Sequence, residues 1–230
     1  MSYKVHTPTG VIEASRVTEL IRSVLAAPAL ERWKLEQVAA HASRQAFDGA
    51  FDGPGDCVDS WQRTSRGAME RGSRLHAWIA ATVEGAEPPA LSMSDKPLDV
   101  SFMGWLADHL DWRVLGTEVT VTTRTNPTIA GTLDALFADG DDVVLCDWKT
   151  CKRLPKAPYF DHEVQVGAYA SLPHRLSAAG IVGPRVPTVT RACVVYLAPE
   201  GPRPLDVTLE RARKAWAAVR TLYEMKEPSR

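Results

Sequence analysis

Three strand-like segments in succession, two of them joined by one tight turn, leave this chain few ways to fold. VLGTEVTVTTR at 114–124 alternates Val119 and Val121 with Glu118, Thr120 and Thr122, the period of two that gives a strand one buried and one exposed face. TIAGTLDALFA at 128–138 and DDVVLCDWKT at 141–150 read as the second and third strands, and ADGDD at 138–142 has the turn residues of a hairpin. The spacing predicts an antiparallel meander.

Helical patterns flank it. Ser15 is a candidate N-cap for a short helix through Val17, Leu20, Ile21 and Val24, stopped at Ala27-Pro28 because proline disfavours helical geometry in the residue before it. A second helix from about Pro28 carries Leu30, Trp33, Leu35, Val38, Ala39 and Ala42. The Gly/Pro/Asp-rich 51–59 reads as a loop, and a long helix follows to near Gly85, with Met69, Leu75, Trp78, Ile79 and Val83 on one stripe. Residues 86–99 read as loop and 100–112 as a short helix. After the strands come a helix over 161–178 bent at Pro173, an apolar central strand ACVVYLA at 192–198, an edge segment, and a helix from Leu209 to Met225. One domain over 1–230 is expected: a helical preface to residue 60, a core over 61–198, and a C-terminal strand and helix over 199–230. The fold class is α/β, of mixed α+β character, a central mixed sheet flanked by helices.

Composition narrows the function. The 230 residues contain no run of about 18 apolar residues, and MSYKVHTPTG lacks the basic-then-apolar order of a signal peptide, so a membrane span and export are not indicated and the cytoplasm is expected. Cys57, Cys146, Cys151 and Cys193 are scattered without zinc-ligand spacing and read as reduced, buried thiols. A formal net charge of −1 argues against coating nucleic acid by bulk electrostatics. Any nucleic-acid contact must be local.

The chemistry gathers on the hairpin. Asp147 and Lys149 are two apart on a strand and project to one side, and antiparallel pairing brings Asp134 near the level of Asp147. Two such carboxylates repel unless a divalent cation lies between them, and oxygen ligands suit Mg²⁺ or Mn²⁺. Lys149 then orients a water or stabilises charge on a phosphate. Alone, a D-x-K pair is the solvated rim of a sheet. Likewise Arg63, Arg66, Arg71 and Arg74, opposed only by Glu70, read alone as a solvated helix face. The ordered set carries the reading: a basic helix with a histidine, then G-x-x-D, then D-x-K, then Q-x-x-x-Y on a helix, then an apolar strand.

In that set the chain resembles the RecB-like branch of the PD-(D/E)XK nuclease superfamily, and within it the small phage-type recombination exonucleases. The matching pieces are R-G-S-R-L-H at 71–76, G-T-L-D at 131–134, D-W-K-T at 147–150 and Q-V-G-A-Y at 165–169. The resemblance implies a restriction-endonuclease-like αβββαβ core. It implies His76, Asp134, Asp147 and the backbone carbonyl of Trp148 as metal ligands, Lys149 as the catalytic lysine, and Glu118, at the start of the first strand, in the outer shell. Gln165 and Tyr169 touch the DNA backbone or brace the site, and Arg63, Arg66, Arg71 and Arg74 contact phosphates. Relatives with an iron-sulphur cluster use three clustered cysteines after the core, where this chain has only Cys193, so no cluster is expected. The implied activity is a Mg²⁺- or Mn²⁺-dependent DNA exonuclease of phage or prokaryotic recombination and repair, acting on ends or single strands. A recombinase, single-strand-binding protein or helicase is the implied protein partner. A structure- or sequence-directed endonuclease and a non-catalytic DNA-end or partner-binding module are the alternatives left open.

Overall fold

The computed structural model describes residues 3–7, 10–25, 28–49, 53–123, 128–176 and 182–226. The chain divides into two compact units, Met1–Leu25 with Leu75–Arg230, and Ala26–Arg74. The first opens with β1 (Tyr3–Thr7) and β2 (Gly10–Arg16), paired antiparallel, and then α1 (Val17–Val24). This corrects the expected all-helical preface and its N-cap. The Ser15 N–H bonds the Thr128 carbonyl at 2.9 Å, so pairing claims its backbone, and extended Arg16 precedes the helix without a side-chain cap.

The second unit contains α2 (Pro28–Asp48) and the first two-thirds of α3 (Pro54–Glu84). The loop expected over 51–59 gives way to helix at Pro54, because proline at the first helical position forfeits no intrahelical bond. Asp56 in that first turn is held by His41 at 2.7 Å, Gln45 at 2.6 Å and Arg63 at 2.9 Å. These partners hold its carboxyl down at about 2.

The remainder of the first unit is α4 (Lys96–Ala107), β3 (Arg113–Thr122), β4 (Ile129–Asp139), β5 (Asp142–Thr150), α5 (Phe160–Tyr169), β6 (His174–Leu176), β7 (Val182–Arg185), β8 (Arg191–Ala198), β9 (Gly201–Asp206) and α6 (Leu209–Lys226). The sheet order is β7-β6-β3-β4-β5-β8-β9, with β2 parallel to β4. β3, β4 and β5 form the expected antiparallel meander, and β5 pairs β8 in parallel, so the fold is a mixed α/β sheet flanked by helices. Helix α4 begins at Lys96, inside the stretch expected as loop, with Pro97 in its first turn.

The helix expected to reach residue 178 stops at Tyr169. Pro173 bars continued helix, and His174 and Arg175 pair instead with Thr122 and Val121 on the β3 edge. One sheet face packs Leu133, Leu136, Leu145 and Val194 against α1, α5 and α6. The other packs Phe137, Cys146, Trp148 and Val195 against Leu75 and Ile79 of α3 and Phe102 and Trp105 of α4. Cys57, Cys146 and Cys193 are buried free thiols and Cys151 is half-buried. Among the described residues no helix is long and apolar enough to cross a membrane.

Candidate active site

The site forms where the sheet comes apart. The β4–β5 ladder runs from Asp139 opposite Asp142 to Ala135 opposite Cys146 and ends there. Two residues further along β5, on the side that faces β4, side chains take the backbone groups of Trp148 in place of a strand. Its N–H donates to Asp134 Oδ2 at 2.7 Å, and its carbonyl accepts from His76 Nε2 at 3.1 Å. An unpartnered buried backbone group is costly, so both contacts fix Asp134 and His76 as firmly as they satisfy Trp148.

On the other side of β4, Glu118 stands opposite Asp134, between the pairs Thr117–Ala135 and Val119–Leu133. Its φ of 45° lies in the left-handed region, where among the described residues every other backbone is glycine. Such a conformation costs about 1–3 kcal/mol and persists only where its surroundings impose it. The bend turns the Glu118 carboxylate to within 4.0 Å of His76 Nδ1, while Asp134 Oδ1 lies 3.3 Å from the same nitrogen. His76, Glu118 and Asp134 thus offer ligand atoms all within 4.8 Å of one another.

The electrostatics are those of charges held together. Burial and the neighbouring Asp134 charge raise the Glu118 carboxyl. Burial would raise Asp134 too, but His76, Lys149 and the Trp148 N–H together bring it below the ordinary range. Burial depresses the His76 imidazole, and Asp134 and Asp147 outweigh it, so the net shift is upward. With Nε2 donating to Trp148, a second proton on Nδ1 faces Asp134, an assignment made from the hydrogen-bond network.

Asp147 and Lys149 form the second half. Lys149 Nζ lies 2.6 Å from Asp147 Oδ2, an ion pair whose carboxylate is wholly buried. Burial pushes Asp147 up to about 6 against the pull of Lys149. For the ammonium, burial loses to Asp147 and Asp134 and the shift is upward, so Lys149 stays charged. Gln165 Nε2 donates to Asp147 Oδ1 at 3.3 Å and to the Tyr169 hydroxyl at 3.0 Å, the i, i+4 pair on one face of α5. Gly131 admits this arrangement, since a Cβ there would stand 2.6 Å from the Tyr169 ring and 3.3 Å from Val17.

The structure therefore brings together His76, Asp134 and Glu118, with Glu118 in mid-strand rather than at the start of β3. Asp147, expected beside His76 and Asp134 as a ligand, is not in their cluster and is held by Lys149 and Gln165. Arg63, Arg66, Arg71 and Arg74 belong to the second unit and are exposed, and Arg63 is engaged by Asp56.

Sequence reasoning also passed over His162 and Tyr196. Tyr196 pairs in register with Lys149, and its hydroxyl meets His162 Nδ1 at 2.8 Å and accepts the Tyr159 N–H at 3.0 Å. The tyrosine stands in an otherwise apolar strand, so only the β5–β8 pairing exposes its part. Burial first, then the Lys149 charge, hold His162 down at about 4, with Asp161 opposing weakly. The unfolded chain takes up that proton near pH 6.5, so His162 contributes full stability above pH 6.5 and loses it as pH falls towards 4. The full loss is on the order of 3 kcal/mol. Melting temperature measured across that window should fall in the wild type and fall less in His162→Gln; parallel profiles would refute this account.

No family model matches this chain, and no curated protein matches it. A solved structure titled "Crystal structure of SSO0001" matches over 94% of this chain and 77% of its own, at 15% identity and a TM-score of 0.41.

Proposed function

We propose that the chain is a divalent-metal-dependent DNA nuclease, with exonuclease action on ends or single strands as the leading form. One observation carries the reading: His76, Glu118 and Asp134 converge at the broken end of the β4–β5 ladder, beside a buried Asp147–Lys149 pair. Two carboxylates close enough that the charge of Asp134 raises Glu118, with an imidazole between them, fit a hard divalent cation. His76 through Nδ1, where the ion would take the proton's place, would hold it with Glu118 and Asp134. The Trp148 carbonyl, expected as a ligand, stays with His76 Nε2 on the far side of the ring. The imidazole suits Mn²⁺ at least as well as Mg²⁺. Such an ion, when bound, polarises a phosphoryl oxygen and makes a bound water more acidic. Lys149 brings a fixed positive charge to the phosphate, Asp147 keeps that ammonium in place, and Gln165 with Tyr169 keeps Asp147 in place.

End-labelled single-stranded and duplex DNA, and closed circles, incubated with Mn²⁺ or with a chelator, test the proposal. Hydrolysis with Mn²⁺ that the chelator abolishes is expected, with small products released from ends. Cutting of circles would make the enzyme an endonuclease, and inertness towards every form would refute a nuclease. Mn²⁺ at a hundredfold excess over Kd should also stabilise the wild type by about 2.7 kcal/mol, and Asp134→Asn should lose that gain while keeping an oxygen for the Trp148 N–H. Equal stabilisation of both proteins would remove Asp134 from the ligand set.

A further inference from the structure

The loop from β5 to α5 carries charge and aromatic surface that the site itself does not use. From Lys149 to Phe160 it reads KTCKRLPKAPYF, with Lys152, Arg153 and Lys156 after the catalytic lysine and no acidic residue among them. All three cations are exposed, and Tyr159 and Phe160 remain 50% and 47% exposed. Two adjacent half-bare aromatic rings set flat apolar surface beside the loop's cations.

The loop is held in shape. The Cys151 N–H bonds the Leu197 carbonyl at 3.0 Å, and Arg203 donates to the carbonyls of Leu154 at 3.5 Å and Pro155 at 3.2 Å. The Tyr159 ring stands edge-on to His162 and Tyr196, with centroids 5.6 and 5.9 Å away. Tyr196 is the register partner of Lys149, so the aromatic end of the loop lies beside the proposed catalytic lysine. The exposed Arg211 guanidinium lies 6.0 Å from the Phe160 centroid and bonds Glu163 at 3.0 Å, which neutralises that carboxylate. Asp161 is an exposed acidic neighbour, outnumbered by the loop's cations.

Cations spaced along a fixed backbone, ending in two open rings, match a polyanion that presents flat apolar faces. An unpaired nucleic-acid strand is that polyanion, because its bases are free to stack outward, whereas a duplex keeps them inside. We propose that residues 152–160 form a single-strand track: Lys152, Arg153 and Lys156 hold phosphates, and Tyr159 and Phe160 stack bases, delivering an unpaired DNA strand to Lys149. This rests on the nuclease reading and names its substrate class.

Fluorescence anisotropy with the full chain in chelator, using a labelled single-stranded oligonucleotide and the matching duplex, tests it. Tyr159→Ala/Phe160→Ala should weaken single-strand affinity about tenfold or more and leave duplex affinity within about twofold. Phe160→Ala alone, which keeps the Tyr159 contacts, should lose part of that affinity. Removing Lys152, Arg153 and Lys156 together should weaken single-strand binding and flatten its dependence on salt. Unchanged single-strand affinity in the folded aromatic variants would overturn the track while Mn²⁺-dependent hydrolysis by the wild type left the nuclease reading standing. A wild type that neither binds nor hydrolyses DNA would overturn both. Binding to anionic vesicles that the same variants abolish, with single-strand affinity intact, would overturn the track in favour of a membrane surface.

Discussion

Lys149→Ala is expected to slow metal-dependent DNA hydrolysis by about a thousandfold or more, roughly 4 kcal/mol of transition-state stabilisation. The ammonium is the one cation of the site's own strand, and its partner Asp147 fixes it 2.6 Å away on the same face of β5. The alanine variant does two things at once. It removes the positive charge from the phosphate, and it leaves a wholly buried carboxylate without its counter-charge, with only the Gln165 amide at 3.3 Å, which costs about 3–5 kcal/mol when nothing replaces the lost charge. Activity loss in that variant alone is therefore ambiguous. Lys149→Arg separates the effects, because the guanidinium keeps the charge opposite Asp147 while its planar fork cannot reproduce a compact ammonium. A folded, nearly inactive arginine variant is the expected result, read by melting and by hydrolysis of end-labelled DNA. An arginine variant with wild-type rate would show that charge alone suffices, and an alanine variant with wild-type rate would remove Lys149 from the chemistry.

The meander was legible because two signals agreed there: an alternation of two along each strand and turn residues between β4 and β5. The position of Asp147 and Lys149 on one face followed from the same alternation. Glu118 was not legible as a neighbour of His76. In sequence it is one polar residue among alternating threonines, the pattern of a solvent face, and only its left-handed backbone opposite Asp134 turns it into the cluster. The docking of β2 on β4 went unread because that partner is distant in sequence, as with Ser15 against Thr128, although β1 and β2 themselves pair locally. β6 went unread because three residues after a proline carry too little pattern to outweigh a preceding helix. Tyr159 and Phe160 were in plain view, but which of the chain's aromatics stand beside Lys149 depends on β8 lying next to β5.

Gly167→Ala is expected to destabilise the protein by about 3 kcal/mol or more, an overpacking penalty at the upper end of its usual range. Inside a helix the exchange should otherwise help, since alanine exceeds glycine by about 1 kcal/mol in helix propensity. Here a Cβ would collide with the Ala212 carbonyl and come within 2.9 Å of the Arg213 nitrogen. Both are backbone atoms of α6, so no rotamer change relieves the overlap; α5 and α6 must move apart. That separation opens the core around Val164, Ala168, Ala212 and Trp216. It also draws Gln165 away from Asp147 and Tyr169 away from β4, so hydrolysis should fall even where the variant still folds. Gly104→Ala is the internal control: it lies in α4, its Cβ would meet only Pro202 at 3.8 Å, and it should stabilise by about 0.5–1 kcal/mol. Denaturant melts of the two variants should therefore move in opposite directions. If both move upward, α5 does not pack on α6 through a bare glycine, and the route by which this helix braces Asp147 is wrong.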